Sequence, residues 1–182
     1  METQRSVYRR GAENGLVMGP LMAVVVILMG ATGYVSLLGV PAIFGLMAVP
    51  CVAYIMLARS YREDDGRSTF SALWLQGICA FFFGGMLMAV AVFVALRWVW
   101  PGFITEQMRM MGELLAQQSG AEAEQLARVF RKSVESGNVP SPIDIALELI
   151  YVVVFTGSLL SMLLSLIIRS RRRTTPPKFD NK

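Results

Sequence analysis

The stretch GLVMGPLMAVVVILMGATGYVSLLGVPAIFGLMAVPCVAYIMLA, residues 15–58, runs for 44 residues without Asp, Glu, Lys, Arg or His. One helical bilayer crossing takes about 20 apolar residues. The stretch is long enough to cross, turn and cross back. Its turn can be placed as well. Residues 33–39 hold Gly33, Tyr34, Ser36 and Gly39, and Pro41 suits the first turn of a new helix. Span one is therefore expected over about 15–33 and span two over about 41–58. Pro20 and Pro50 fall inside them, where proline is tolerated because neighbouring groups satisfy the freed carbonyls.

Outward from this stretch the same reading continues. Arg59, Arg62, Glu63, Asp64, Asp65 and Arg67 make a polar loop too short to fold alone. Span three is expected over about 71–96, closed by Arg97, Trp98, Trp100 and Pro101-Gly102. Span four is expected over about 143–168, with Ser141 as N-cap, Pro142 opening the helix and Asp144 in its first turn. Arg169 and Arg171–Arg173 stop it.

Between spans three and four, residues 102–139 carry two amphipathic patterns. Ile104, Met108, Met111 and Leu115 share one helix face, and Leu126, Val129, Phe130 and Val134 share another. Ser119 and Glu122 have capping-box spacing, and Gly137-Asn138-Val139-Pro140 ends the second helix. The expected fold is all-α: an integral membrane four-helix transmembrane bundle with a helical extracytoplasmic hairpin between spans three and four. One membrane domain covers 1–173, and 174–182 form a disordered cytoplasmic tail. The hairpin helices are too short to stand alone. They are expected to pack on each other and on the membrane mouth of the bundle, a partner helix or the lipid surface being the other uses of the Met-rich stripe.

Basic residues orient the chain. With the N-terminus inside, the cytoplasmic side holds Arg5, Arg9, Arg10, Arg59, Arg62, Arg67, Arg169, Arg171–Arg173, Lys178 and Lys182. The other side holds only Arg97, Arg109, Arg128, Arg131 and Lys132. Both termini then face the cytoplasm. Tyr34, Trp98 and Trp100 fall at the outer interface, and Tyr61, Phe70 and Trp74 at the inner one. The basic run at Arg171–Arg173 is a short stop-transfer anchor against lipid head groups, and nucleic acid is not an expected partner.

Residues with chemistry are few. The sequence has no histidine, which removes the commonest metal ligand and general base. No cofactor or metal is expected. Cys51 and Cys79 both lie in apolar runs and read as small buried hydrophobes. Asp144 and Glu148 are four apart on span four, and Gln76 lies in the second turn of span three. Ionisable groups in a membrane are candidates for function. These three are candidates for an ion or ligand path, with Glu13 and Asn14 similarly placed at the inner end of span one, although capping for the acids and an interhelical hydrogen bond for Gln76 fit their positions better. Small residues say more. Gly11, Gly15, Gly19 and Ala23 repeat every fourth residue on span one, as do Gly157, Ser161 and Ser165 on span four. Gly77, Gly84 and Gly85 lie on span three. Such faces let helix backbones approach closely.

The layout resembles the four-span bacterial membrane proteins of domain-of-unknown-function family 4199. The resemblance runs over about 11–173 and rests on four features. These are the glycine-rich opening of span one, the loop Tyr61-Arg62-Glu63-Asp64-Asp65-Gly66-Arg67-Ser68-Thr69-Phe70, the amphipathic segment ending at Ser141-Pro142, and Gly157-Ser158-Leu159-Leu160 before the basic tail. It implies a Gram-negative inner-membrane location and supplies no functional residues. The expected role is a non-catalytic structural or accessory membrane protein that packs with a second copy or a membrane-protein partner. The alternative is an oligomeric small channel or transporter subunit lined by Asp144, Glu148 and Gln76.

Overall fold

A computed structural model describes residues 6–64, 66–118 and 120–173, the last three by backbone alone. Readings that rest on Ser119, Asp65 or the tail over 174–182 lie outside the described residues. Regular structure among the described residues is helical: α1 (Val7–Ala31), α2 (Gly39–Glu63), α3 (Phe70–Val94), α4 (Phe103–Ala116), α5 (Ala121–Glu135) and α6 (Pro142–Arg173). Helices α1, α2, α3 and α6 are long and apolar enough to cross a membrane, which makes this a multi-pass membrane protein.

The helices overrun the uncharged stretches because a helix continues until something closes it. Helix α1 starts at Val7, where Ser6 Oγ accepts from Arg9 N–H at 3.3 Å. A single 3-10 turn, Ser36–Leu38, leads into α2. Past the end of α2, Gly66 adopts a φ of 70°. Its N–H donates to Tyr61 C=O at 2.9 Å, a left-handed closure that glycine makes cheaply. Helix α3 widens into one π turn, Ala95–Val99, whose Trp100 N–H reaches Ala95 C=O at 2.9 Å.

The chain divides into two compact units. The first takes α1, α2, α3 as far as Ala89, and α6 from Leu149. Here α3 is gripped on two faces. A Cβ built on Gly15 would lie 2.7 Å from Phe83 Cβ, and one on Gly19 would lie 2.7 Å from Leu87 Cβ. One on Gly11 would overlap Cys79 Cβ. Each step is four residues on both helices, so α1 and α3 run parallel along one row. Gly84 fills the same row from the other side: a Cβ there would lie 3.2 Å from Gly19 N and 3.3 Å from Gly15 O. On the second face, Gly77 meets Ser161, Phe81 meets Gly157 and Gly85 meets Val153, so α6 runs antiparallel to α3. Lipid supplies no hydrophobic drive between helices, and close dispersion contact takes its place. Helix α2 leans on α1 through Gly45, whose added Cβ would lie 2.6 Å from Val25 Cγ2. Its other side turns Ile43, Phe44 and Met47 outward.

Of the two cysteines expected to be buried, both free, Cys79 is half-buried and Cys51 is exposed on the outer face of a span. Cys51 lies on α2, the span with the smallest buried share, whereas Cys79 seats over Gly11.

The second unit covers Val90–Glu148. Its helices α4 and α5 form a hairpin that closes on small residues. Gly112 and Ala127 are buried, and a Cβ on Gly112 would touch Phe130 Cβ at 3.4 Å. The expected apolar stripes serve this contact only in part: Met111, Leu126 and Val129 stay exposed. Close approach at glycine turns the longer side chains on the flanks away from the seam. Helix α5 starts at Ala121 with Gly120 as N-cap. Gly137 ends it at a φ of 70°. There Asn138 N–H reaches Ser133 C=O at 2.9 Å.

The α1–α3 row yields a prediction. Gly15→Ala forces Phe83 and the Ala80 carbonyl, 3.0 Å from the added carbon, to give way. It should cost about 1–3 kcal/mol by overpacking. Gly39→Ala, where the nearest atom is Thr32 Cγ2 at 3.7 Å, should cost nothing. Thermal melts of detergent-purified protein should show Gly15→Ala lowered by several degrees and Gly39→Ala unchanged.

Candidate functional site

Polar side chains gather in the first unit at the end where α1 begins, α2 ends and α3 begins. Arg10 is one turn above the start of α1, and Asp64 caps the end of α2. Their side chains meet with Arg10 Nη1 and Asp64 Oδ1 2.7 Å apart, both largely covered. Ser68 Oγ donates to the other carboxylate oxygen, Oδ2, so the loop into α3 is fastened to the same acid. Deeper in, Gln76 Nε2 donates to Ser60 Oγ at 2.6 Å, with both residues buried. Ser60 and Asp64 are four apart on α2, and Arg10 and Asn14 are four apart on α1, so each pair shares a helix face.

Two charges so placed are stable because they have each other. Burial alone would raise the Asp64 pKa. The hydrogen bonds from Ser68 and Arg10, with the guanidinium's charge, outweigh it and hold the carboxyl below its ordinary value. Arg10 Nε and Asn14 Nδ2 are buried without a hydrogen-bond partner among the described residues. Glu13, by contrast, pairs with Arg9 at 3.0 Å on the exposed side of α1. Such an exposed pair is worth little.

The residues singled out in the sequence fall at three places. Gln76 belongs to this cluster. Gly11, Gly15, Gly19 and Gly84 form the α1–α3 seam, and Gly157 and Ser161 the α3–α6 seam. Ser161 is fully buried with its hydroxyl unpartnered among the described residues, while Ser165 Oγ returns to Ser161 C=O at 2.7 Å. Asp144 and Glu148 lie in the second unit and are both exposed. Asp144 Oδ2 accepts from Ser141 N–H at 3.0 Å and from Ser141 Oγ at 2.6 Å. Asp144 N–H in turn reaches Ser141 Oγ at 3.4 Å, which completes a reciprocal cap. That carboxylate is engaged in starting α6.

Sequence reasoning missed two partners. Trp74, read as an interfacial aromatic, donates Nε1–H to Ser158 C=O at 3.1 Å and so ties α3 to α6. Ser60 carries no signal in the sequence beyond its spacing of four from Asp64. Only the fold brings it to Gln76.

The arrangement can hold helix ends together, and the hydroxyl it sets against a carboxylate, Ser68 on Asp64, shares that acid with Arg10. Among the described residues no three His, Cys, Asp or Glu side chains group as a metal site. Because the Asp64 pKa is depressed in the folded protein, its contribution is present above pH about 4 and is lost as pH falls through the lowered value. Asp64→Asn should remove that contribution at every pH and leave Arg10 without its charge partner, at about 1–3 kcal/mol. Thermal stability followed from pH 7 downward should fall below pH about 4 in the wild type, and the gap to Asp64→Asn should narrow there. A gap that stays constant would show that the pair does not hold the fold.

Comparison with curated proteins and with solved structures finds no match. A family model does match, over residues 13–170, and takes in the α1 glycines from Gly15 onward, the Asp64 loop, the α4–α5 hairpin and most of α6. The chain therefore belongs to the family described as Protein of unknown function (DUF4199).

Proposed function

We propose that this is a non-catalytic accessory protein of the bacterial inner membrane, with both termini cytoplasmic and the α4–α5 hairpin on the outer side. The observation that carries this reading is the use made of the polar side chains. Gln76 is bound to Ser60, Asp64 to Arg10 and Ser68, and Asp144 to Ser141. The first two sets join one element to another, Asp144 caps the start of α6, and none converges with a base on an open position. The orientation rests on the arginines that crowd the α1 start, the α2–α3 loop and the α6 end.

The glycine faces do not supply the partner surface, since α1, α3 and α6 fill them among themselves. A partner would meet the outward apolar side chains of α2 and α6, among them Phe44, Met47, Tyr151 and Phe155. The capped Asp144 and the bonded Gln76 give the channel reading no support.

Crosslinking in native membranes at native expression, followed by purification in mild detergent, tests the proposal. A crosslinked partner or a second copy is the expected product. A lone monomer with no adduct removes the accessory role. For the orientation, reporter fusions at Arg67 and after Arg173 should report cytoplasm, and a fusion at Gly120 should report the outer side. A cytoplasmic signal at Gly120 overturns it.

A further inference from the structure

Helix α4 has three faces. One, centred on Gly112, meets α5. A second carries Glu106, Arg109 and Glu113. The third carries Met110, Met111 and Leu114, which are 43%, 49% and 51% exposed. Helix α5 repeats the pattern. Ala127 and Phe130 face the seam, Glu124 and Arg128 pair on one flank, and Leu126 and Val129 are 51% and 60% exposed on the other.

The two apolar flanks coincide. At about 100° per residue, Met111 and Leu114 lie roughly 100° and 160° from Gly112 in one rotational sense, and Met110 lies nearly opposite Gly112. Leu126 and Val129 lie at a similar angle, in the same rotational sense, from the Ala127–Phe130 seam. The helices are joined through Gln117–Gly120 and run antiparallel, and equal rotations on antiparallel helices point to the same side. The hairpin therefore gathers Met111, Leu114, Leu126 and Val129 on one side, with Glu122 at its turn end, and the pairs Glu106–Arg109 and Glu124–Arg128 lie on the opposite one.

What would cover that side is set by where α4 begins. The span α3 ends in Trp98 and Val99, 66% and 61% exposed. They stand in the position of an interfacial aromatic belt. Only Trp100, Pro101 and Gly102 separate that end from α4, and Gly102 turns the chain at a φ of 85°. Trp100 and Phe103 then bring their ring centroids to 5.9 Å, which fixes the first turn of α4 to the belt. A helix pair that starts at headgroup depth, with one apolar side and one charged side, has the design of an interfacial element.

We propose that the α4–α5 hairpin lies on the bilayer surface, with Met111, Leu114, Leu126 and Val129 seated in lipid. The occupant is the membrane from which α3 emerges, and no second protein is required there. This goes beyond the accessory role and stands independently of it.

Full-length protein in lipid nanodiscs tests the assignment, with Cys51→Ala and Cys79→Ala as background. Spin labels are placed through Leu114→Cys and Val129→Cys on the apolar side, and through Glu113→Cys and Arg128→Cys on the charged side. All four positions are exposed, so labels there leave the helix seam intact. Labels at 114 and 129 should relax more strongly with oxygen, which partitions into lipid, than with a water-soluble nickel chelate. Labels at 113 and 128 should show the reverse. Chelate-dominated relaxation at 114 and 129 overturns the proposal, as does shielding of both from both relaxants, which would mean a protein cover.

Discussion

Everything in the membrane part of this chain depends on how closely α3 can be approached. Two helices pack against its backbone, α1 through Gly11, Gly15 and Gly19, and α6 through Gly157 and Ser161. In water, apolar surfaces would drive such helices together. In lipid the surrounding chains are as apolar as the side chains, and only close, well-fitted contact favours association. Removing the Cβ at every fourth residue permits that contact. Larger groups on the facing helix, Phe83 and Leu87 on one side and Phe81 on the other, then fill the space. The parallel row with α1 and the antiparallel row with α6 also fix register, because a shift of one residue would bring Cβ atoms into collision.

Polar contacts lock what the glycines bring together. The Arg10–Asp64 pair and the Ser68 hydroxyl join the start of α1 to the loop between α2 and α3. Gln76 and Ser60 join α2 to α3 one turn deeper, and Trp74 joins α3 to α6 through the Ser158 carbonyl. A buried polar group left alone in such a place costs more than its bond returns. These contacts therefore favour one arrangement of helices over the near alternatives that apolar packing alone would allow. Helix α2 adds buried Ala42, Ala53 and Leu57 to these contacts and to Gly45, and turns most of its surface outward.

Much of this fold was legible in the sequence. The uncharged stretch over 15–58, its break near Gly33–Pro41 and the two later apolar runs account for four membrane helices, and the hairpin was visible in its period. Gly11, Gly15 and Gly19 announced a tight helix face. Which helix would fill it was not legible, because a glycine row records the absence of side chains and not the identity of the partner. The same limit applies to the polar cluster. Gln76 could be read as an interhelical donor, but Ser60 gave no sign of its role, since a serine in a membrane helix most often bonds its own backbone, and Ser68 is a loop serine whose acceptor only the fold identifies. The position of Trp74 in its span points to an interface and gives no acceptor for its N–H, which the fold supplies at Ser158. In the hairpin the apolar stripes located the helices, and Gly112 and Ala127 made the contact that the larger residues were expected to make.

The glycine row of α1 is filled by α3 of the same chain. Crosslinking of Ala12→Cys, beside the row, to the native Cys79 with a short reducible bis-thiosulfonate, in membranes and with Cys51→Ala, is the test. A protease site inserted in the α2–α3 loop separates the two positions onto different fragments. The predicted result is a nicked chain that stays joined until it is reduced and migrates as a single copy. Fragments that separate without reductant, or a crosslink that joins two chains, would contradict it.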